Sequence, residues 1–272
     1  MTFEEKKKTL LCMMDDLGKK NCVIAFSGGV DSSLLVRLAC DRAAIYGTDV
    51  YAVMILSELA PAKDFEIAQQ VAKEAGAHFV TLKINELSVP GIADNSLQRC
   101  YICKKYLFTR LLSFAKDKGI DAVLEGTNED DLHVYRPGIA AIRELDIQSP
   151  LAAAHMTKSE VRALAAEYGI SVAHRPSSPC LATRFPYGTL LSMEALRQVE
   201  QGESILHRMG FSQVRLRVHG NVARIEVEAG EMPRLLEQAG EAVRGLKALG
   251  YDYVTLDLEG FRSGSMDIHM DR

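Results

Sequence analysis

The sequence predicts an α/β fold: a parallel sheet of the five-stranded type with helices on both faces, followed by a small C-terminal α+β domain. Three observations carry this. Short runs of consecutive apolar residues alternate with helix-period segments; a polar glycine turn joins the first such run to a helix; and the character of the chain changes near Arg175. The start, MTFEEKKKTLLCMMDDLGKK, has only a short apolar patch before Asp15 and Asp16 and reads as a short helix of a cytoplasmic protein. Val23 to Phe26 is a strand, Ser32 to Cys40 a helix, Val50 to Leu56 a strand, Ala62 to Ala75 a helix and His78 to Ile84 a third strand. A helix from Leu97 to Lys118, a strand from Ala122 to Glu125 and a helix from Lys158 to Tyr168 continue the pattern. The last is introduced by the capping-box residues Thr157 and Glu160. Strands apolar on both faces imply a buried parallel sheet.

Pro176, Ser177, Ser178, Pro179, Pro186 and Gly188 crowd one loop, which places the domain boundary between residues 175 and 176. Beyond it a helix from Ser192 to Met209, a hairpin of Gln213 to Val218 with Val222 to Glu228, a helix from Glu231 to Leu249 and a strand from Tyr253 to Leu258 complete residues 176–272.

The chain has 272 residues, 47% apolar and 25% charged, values of an ordered globular protein with a real core. A formal charge of −4 does not supply the positive field that nucleic-acid binding needs, so small-molecule substrates are favoured. No run of about eighteen apolar residues is present, which excludes a helical membrane span. Six cysteines in a chain of this size read as reduced thiols, ligands or catalysts rather than a disulfide framework.

The most informative segment is SGGVDSS, Ser27 to Ser33, at the end of the first strand. Gly28 and Gly29 let backbone N–H groups converge on one point, the helix N-terminus adds partial positive charge, and Ser27, Ser32 and Ser33 add hydroxyls, together a phosphate site. The lysine of the GxxxxGK[ST] loop is missing, which disfavours γ-phosphate transfer. The string resembles the PP-loop of the N-type ATP pyrophosphatases, and that resemblance implies cleavage of ATP between the α- and β-phosphates, with Asp31 near the Mg²⁺ that neutralises pyrophosphate. A second polar turn, EGTNEDD, offers Gly126 for close approach and Thr127 for the α-phosphate. By the same resemblance the backbone at Met54 receives adenine, and Lys158 is a pyrophosphate contact; an exposed helix-start lysine is the plainer reading.

SGGVDSS, EGTNEDD, the YRPG of Tyr135 to Gly138 and SSPCLATRFPYG at Ser177 to Gly188 together look like the LarE family of sulfur transferases, over essentially the whole chain. The resemblance implies ATP-dependent adenylation of a carboxylate of pyridinium-3,5-dicarboxylate mononucleotide, followed by displacement of AMP by sulfur, in the biosynthesis of the nickel-pincer cofactor of lactate racemase. It also implies a homo-hexamer. Cys180 is the residue expected to deliver or hold the sulfur, with Arg175 and Arg184 in its sequence neighbourhood favouring thiolate.

Two sulfur sources are known in that family: sacrifice of the Cys180 sulfur, leaving dehydroalanine, or a [4Fe-4S] cluster on three thiols with one iron open to sulfide from solution or from a donor protein. Cys100 and Cys103, three apart on one helix, make three with Cys180. A zinc site, a redox dithiol and two idle helix cysteines are the other readings of the pair. Cys12, Cys22 and Cys40 read as packing residues. Arg215 and Arg217 point to one face of a strand and suit a substrate phosphate, with Arg184 joining them, and pairing with Glu226 and Glu228 of the next strand is the structural alternative; by the same resemblance Glu203 and Glu226 contribute to a metal or substrate site. A tRNA thiolase and an ammonia-dependent amide ligase are the rival activities.

Overall fold

Successive residues of a strand face opposite sides of its sheet, and the two sides of this sheet are covered by different helices. The computed structural model describes residues 1–61, 63–134, 136–176, 179–262 and 264–266. Strands β1 (Cys22–Ala25), β2 (Val50–Leu56), β3 (His78–Lys83) and β4 (Ala122–Leu124) form one parallel sheet in the order β3-β2-β1-β4. A parallel bridge from Leu124 to Gln148 adds a one-residue stub of a fifth strand beside β4. Cys22 and Ile24 of β1, with Ala52 and Met54 of β2, pack in a core with α1 (Phe3–Gly18), α2 (Val30–Tyr46), α3 (Lys63–Ala75) and α7 (Lys158–Glu167). Val23 and Val53, on the other side, pack with α4 (Arg99–Asp117) and α5 (Gly138–Glu144). A short α6 (Pro150–Ala153) precedes α7. The predicted parallel α/β architecture is present.

Local chemistry explains several ends. Thr157 and Glu160 close a capping box at α7, as their spacing predicts, and Thr2 with Glu5 close another at α1, which at 16 residues is a full helix rather than a short one. Helix α2 starts at Val30, two residues before the expected start, because Gly29 is its N-cap. The predicted helix start Ala62 lies outside the described residues.

A second compact unit comprises residues 86–97 and 179–266 of the described chain, and the first comprises 1–85 with 98–178. The second holds α8 (Met193–Arg208), α9 (Met232–Glu237), α10 (Ala239–Ala248) and a sheet of β5 (Val214–His219), β6 (Val222–Val227) and β7 (Tyr253–Leu256) in that order. β5 and β6 are an antiparallel hairpin turning at Gly220 and Asn221; β7 runs parallel to β6. Two expectations are corrected. The single helix over residues 231–249 is two, broken at Gln238. Residues 86–97, assigned to the first domain, belong to the second unit: the fully buried Asn95 donates to the carbonyls of Phe185 (3.2 Å) and Pro186 (2.8 Å), and Gly188 N–H donates to its own carbonyl.

Candidate functional site

The loop after β1 is shaped by one glycine. Gly28 has φ +70°, and a Cβ there would lie 2.9 Å from the Ala68 Cα of α3, so the loop sits directly on that helix. Ser32 Oγ accepts from Ser27 N–H (3.3 Å) and donates to the Gly29 carbonyl (3.2 Å), while Gly29 N–H donates to Ser27 Oγ (3.3 Å). Ser33 is fully buried, and its hydroxyl has no hydrogen-bond partner among the described residues. A buried donor without a partner is costly, and a ligand oxygen at the N-terminus of α2 would satisfy it.

β4 neighbours β1, so the turn after β4 opens at the same sheet edge. Gly126 presses against the first loop: a Cβ there would stand 3.0 Å from Ser32 N and 3.1 Å from Asp31 Cβ. Thr127 is held by the buried Glu125, to which its N–H (2.9 Å) and hydroxyl (2.8 Å) both donate, and Ser149 donates to the same carboxylate. Asp31 is held from two sides, by Asn128 Nδ2 (3.1 Å) and by the ammonium of Lys158. The backbone N–H of Lys158 donates to Asp130 (2.9 Å). The structure therefore gathers Ser27, Gly28, Gly29, Asp31, Ser32, Ser33, Gly126 and Lys158 at one edge. The Met54 side chain is core, leaving only its backbone for the expected adenine contact.

Sequence reasoning missed Asn128, Asp64 and the role of Arg175. Arg175, expected to act on Cys180, spends its guanidinium on Asp64 (2.5 Å) and on the Gly28 carbonyl (3.4 Å). Asn128 stands in the EGTNEDD string, but only the fold brings it to Asp31.

In the second unit Cys180 caps a short 3₁₀ turn, Leu181–Arg184, and is half-buried. Arg184, predicted to bind substrate, is 2% exposed and paired with Glu203 through Nε (2.8 Å) and Nη2 (2.9 Å). Glu203 also accepts the Leu216 N–H (3.0 Å). Arg217 is likewise buried against Glu226 (2.9 Å), and its Nη1 donates to the Thr183 carbonyl (2.9 Å). Both guanidinium groups are thus consumed inside the protein, and Glu203 and Glu226 serve as their counter-ions. The physical reason is that two buried cations need paired carboxylates before they can serve anything else. Arg215 differs: its guanidinium lies over the Phe261 ring (5.2 Å), and burial together with the nearby Arg184 brings its pKa down to about 10.

Cys100 is exposed and Cys103 half-buried on the first turns of α4, and Arg99 Nη2 approaches Cys100 Sγ at 3.3 Å. Two thiols on one helical face beside a guanidinium fit a thiolate-ligated group. These two belong to the first unit and Cys180 to the second, and among the described residues no cluster of three or more His, Cys, Asp or Glu is gathered as a metal site. Burial pushes the Cys22 thiol up to about 12 and the Cys40 thiol to about 11, as packing residues require; Cys12 is exposed and is not one. Tyr135, Ser177 and Ser178 of the quoted motifs lie outside the described residues.

The NAD synthase family model matches residues 2–98, which contain the first phosphate loop. Pyridinium-3,5-bisthiocarboxylic acid mononucleotide synthase of Lactiplantibacillus plantarum is 39% identical over 267 residues, covering 98% of this chain and 95% of that protein. An uncharacterized Synechocystis protein is 36% identical over 267 residues, covering 97% and 98%. A tRNA-specific 2-thiouridylase of Rickettsia bellii is 28% identical over 230 residues, covering 70% of this chain and 61% of its own. A PP-loop at the edge of a parallel sheet, the cysteine loop and near-complete overlap with the Lactiplantibacillus synthase place the chain in the LarE family of ATP-dependent sulfur transferases.

Proposed function

We propose that this protein is an ATP-dependent sulfur transferase that converts a carboxylate of pyridinium-3,5-dicarboxylate mononucleotide to a thiocarboxylate in nickel-pincer cofactor biosynthesis. The observation that carries it is the double loop at one sheet edge, with Ser33 buried and unpartnered, in a chain aligned end to end with a synthase of the bisthiocarboxylic acid. The loop at Ser27–Ser33 would hold the β- and γ-phosphates, and Gly126, packed against Asp31 and Ser32, lets the second loop close on the same edge beside the α-phosphate. Asp31, oriented by Lys158 and Asn128, is the residue to hold Mg²⁺.

In the first step a carboxylate oxygen attacks the α-phosphorus, the α–β bond breaks and pyrophosphate leaves. The resulting acyl-AMP has a good leaving group. A sulfur nucleophile then adds to the acyl carbon and AMP departs, carrying one oxygen of the original carboxylate. Arg215, whose guanidinium lies over the Phe261 ring and donates to the Val214 carbonyl (2.7 Å), is the strand cation assigned to the substrate phosphate.

Cys100, Cys103 and Cys180 would hold a [4Fe-4S] cluster, which when bound supplies an open iron for hydrosulfide. Anaerobic purification decides the source. About four irons per chain, lost in Cys103→Ala, supports the cluster; iron-free protein with Cys180 converted to dehydroalanine after turnover supports sacrifice. We assign it a cytoplasmic setting and a homo-oligomeric, hexameric state; no described helix is long and apolar enough to cross a membrane. Pyrophosphate exchange into ATP that depends on the pyridinium mononucleotide tests the reading. Exchange that depends instead on tRNA, with a steep salt slope, would replace it with a tRNA thiolase, and thiocarboxylate-free amide formation from ammonia with an ammonia ligase.

A further inference from the structure

We infer that Thr183 and the buried Arg184–Glu203 pair are positioning residues for Cys180, clamping both peptide groups that flank it; this rests on the reading that Cys180 delivers or holds the sulfur. A side chain leaves the backbone along Cα–Cβ, so fixing the two flanking peptide planes fixes where Sγ can reach. One nitrogen, Arg184 Nη1, donates to the Pro179 carbonyl (3.0 Å) on one side of the cysteine and to the Cys180 carbonyl (3.2 Å) on the other. The Cys180 carbonyl also accepts the Thr183 N–H (3.1 Å) and the Thr183 hydroxyl (2.8 Å), making three donors on one oxygen. Arg184 Nη1 reaches the Thr183 hydroxyl as well (3.0 Å).

The clamp is fastened to the sheet at both ends. Glu203 of α8 holds the Nε–Nη2 edge of the Arg184 guanidinium and takes the Leu216 N–H of β5, while Thr183's own carbonyl accepts from Arg217, which Glu226 of β6 holds. Arg184 is 2% and Glu203 8% exposed, so water does not compete for these bonds. These bonds hold the peptide groups on both sides of the half-buried Cys180 at the start of the 3₁₀ turn. Nucleophilic or ligand-bound sulfur must stand within about 3–3.5 Å of the acyl carbon, and a displacement of about 1 Å costs on the order of a hundredfold in rate.

The test uses full-length protein. Thr183→Val keeps shape and the buried ion pair but removes the hydroxyl. It is expected to slow single-turnover thiocarboxylate formation about tenfold, to speed alkylation of Cys180 by iodoacetamide at least about threefold as the turn loosens, and to leave the KM for ATP and for the mononucleotide unchanged. Thr183→Ser is expected to restore both rates, and Arg184→Lys to reproduce the Thr183→Val pattern. Unchanged Cys180 alkylation in Thr183→Val would overturn the clamp, as would an Arg184→Lys protein whose only change is a higher KM for the mononucleotide. Alkylation reads the clamp without sulfur transfer, so a wild-type chain that forms no thiocarboxylate refutes the proposed function and leaves the alkylation comparison decisive for the clamp.

Discussion

Replacing Gly28 by alanine perturbs the phosphate loop at its tightest point. Three glycines share nearly the same backbone: Gly28 at φ +70°, Gly47 at +71° and Gly119 at +68°. At Gly47 and Gly119 an added Cβ meets nothing within 4 Å, whereas at Gly28 it meets Ala68 at 2.9, 3.0 and 3.1 Å. The left-handed conformation costs an alanine about 1–2 kcal/mol at all three positions. Insertion of a methyl into filled space adds about 1–3 kcal/mol at Gly28 alone, since the neighbour includes helix backbone that cannot rotate away. The account thus predicts a loss of about 2–5 kcal/mol for Gly28→Ala against about 1–2 for Gly47→Ala and Gly119→Ala. Urea unfolding of the three full-length variants, followed by circular dichroism, reads the difference, and calorimetric titration should show ATP affinity falling only in Gly28→Ala. A Gly28→Ala protein within about 0.5 kcal/mol of Gly119→Ala would refute the seating of the loop on α3.

Arg217→Met removes one of the two guanidinium partners of the fully buried Glu226, which keeps Arg224 (3.2 Å) and the Ser265 hydroxyl (2.7 Å), and is expected to cost about 1–3 kcal/mol. The exposed Lys19–Asp16 pair is the control, and Lys19→Met should leave the unfolding midpoint at the wild-type value in the same assay. Burial pushes the Glu203 carboxyl up, but Arg184 and the Leu216 N–H outweigh it, so its pKa lies below the ordinary value. The pair therefore stabilises above the unfolded-state pKa and loses that contribution as pH falls through the lower folded value; Glu203→Gln should flatten this acid limb, and parallel profiles would contradict it. Alkylation at pH 8 followed by mass spectrometry should label Cys12 and Cys100 and spare Cys22 and Cys40, whose thiols are raised by burial; early labelling of Cys22 would count against its place in the core.

What was readable in the sequence was what is local. SGGVDSS announces its loop because the strand, the two glycines and the helix start are contiguous, and Thr157 with Glu160 announce a helix start within one turn. The phosphate edge followed, since adjacent strands of a parallel sheet open their loops on one side. Residues 86–97 could not be placed because the bonds that hold Asn95 run to Phe185 and Pro186, ninety positions away. Arg184 and Arg217 misled for a related reason: sequence shows charge but not burial, and Glu203 and Glu226 sit on other elements. The break at Gln238 was hidden because the apolar periodicity of α9 and α10 runs across it.

The central claim is that the α–β bond of ATP is broken to activate a carboxylate that sulfur then attacks. Pyridinium-3,5-dicarboxylate mononucleotide labelled with ¹⁸O in its carboxylates, incubated with the protein, ATP, Mg²⁺ and sulfide, should give AMP bearing one ¹⁸O and a product heavier by the exchange of oxygen for sulfur. Formation of ADP and orthophosphate, or of AMP without label, would contradict it.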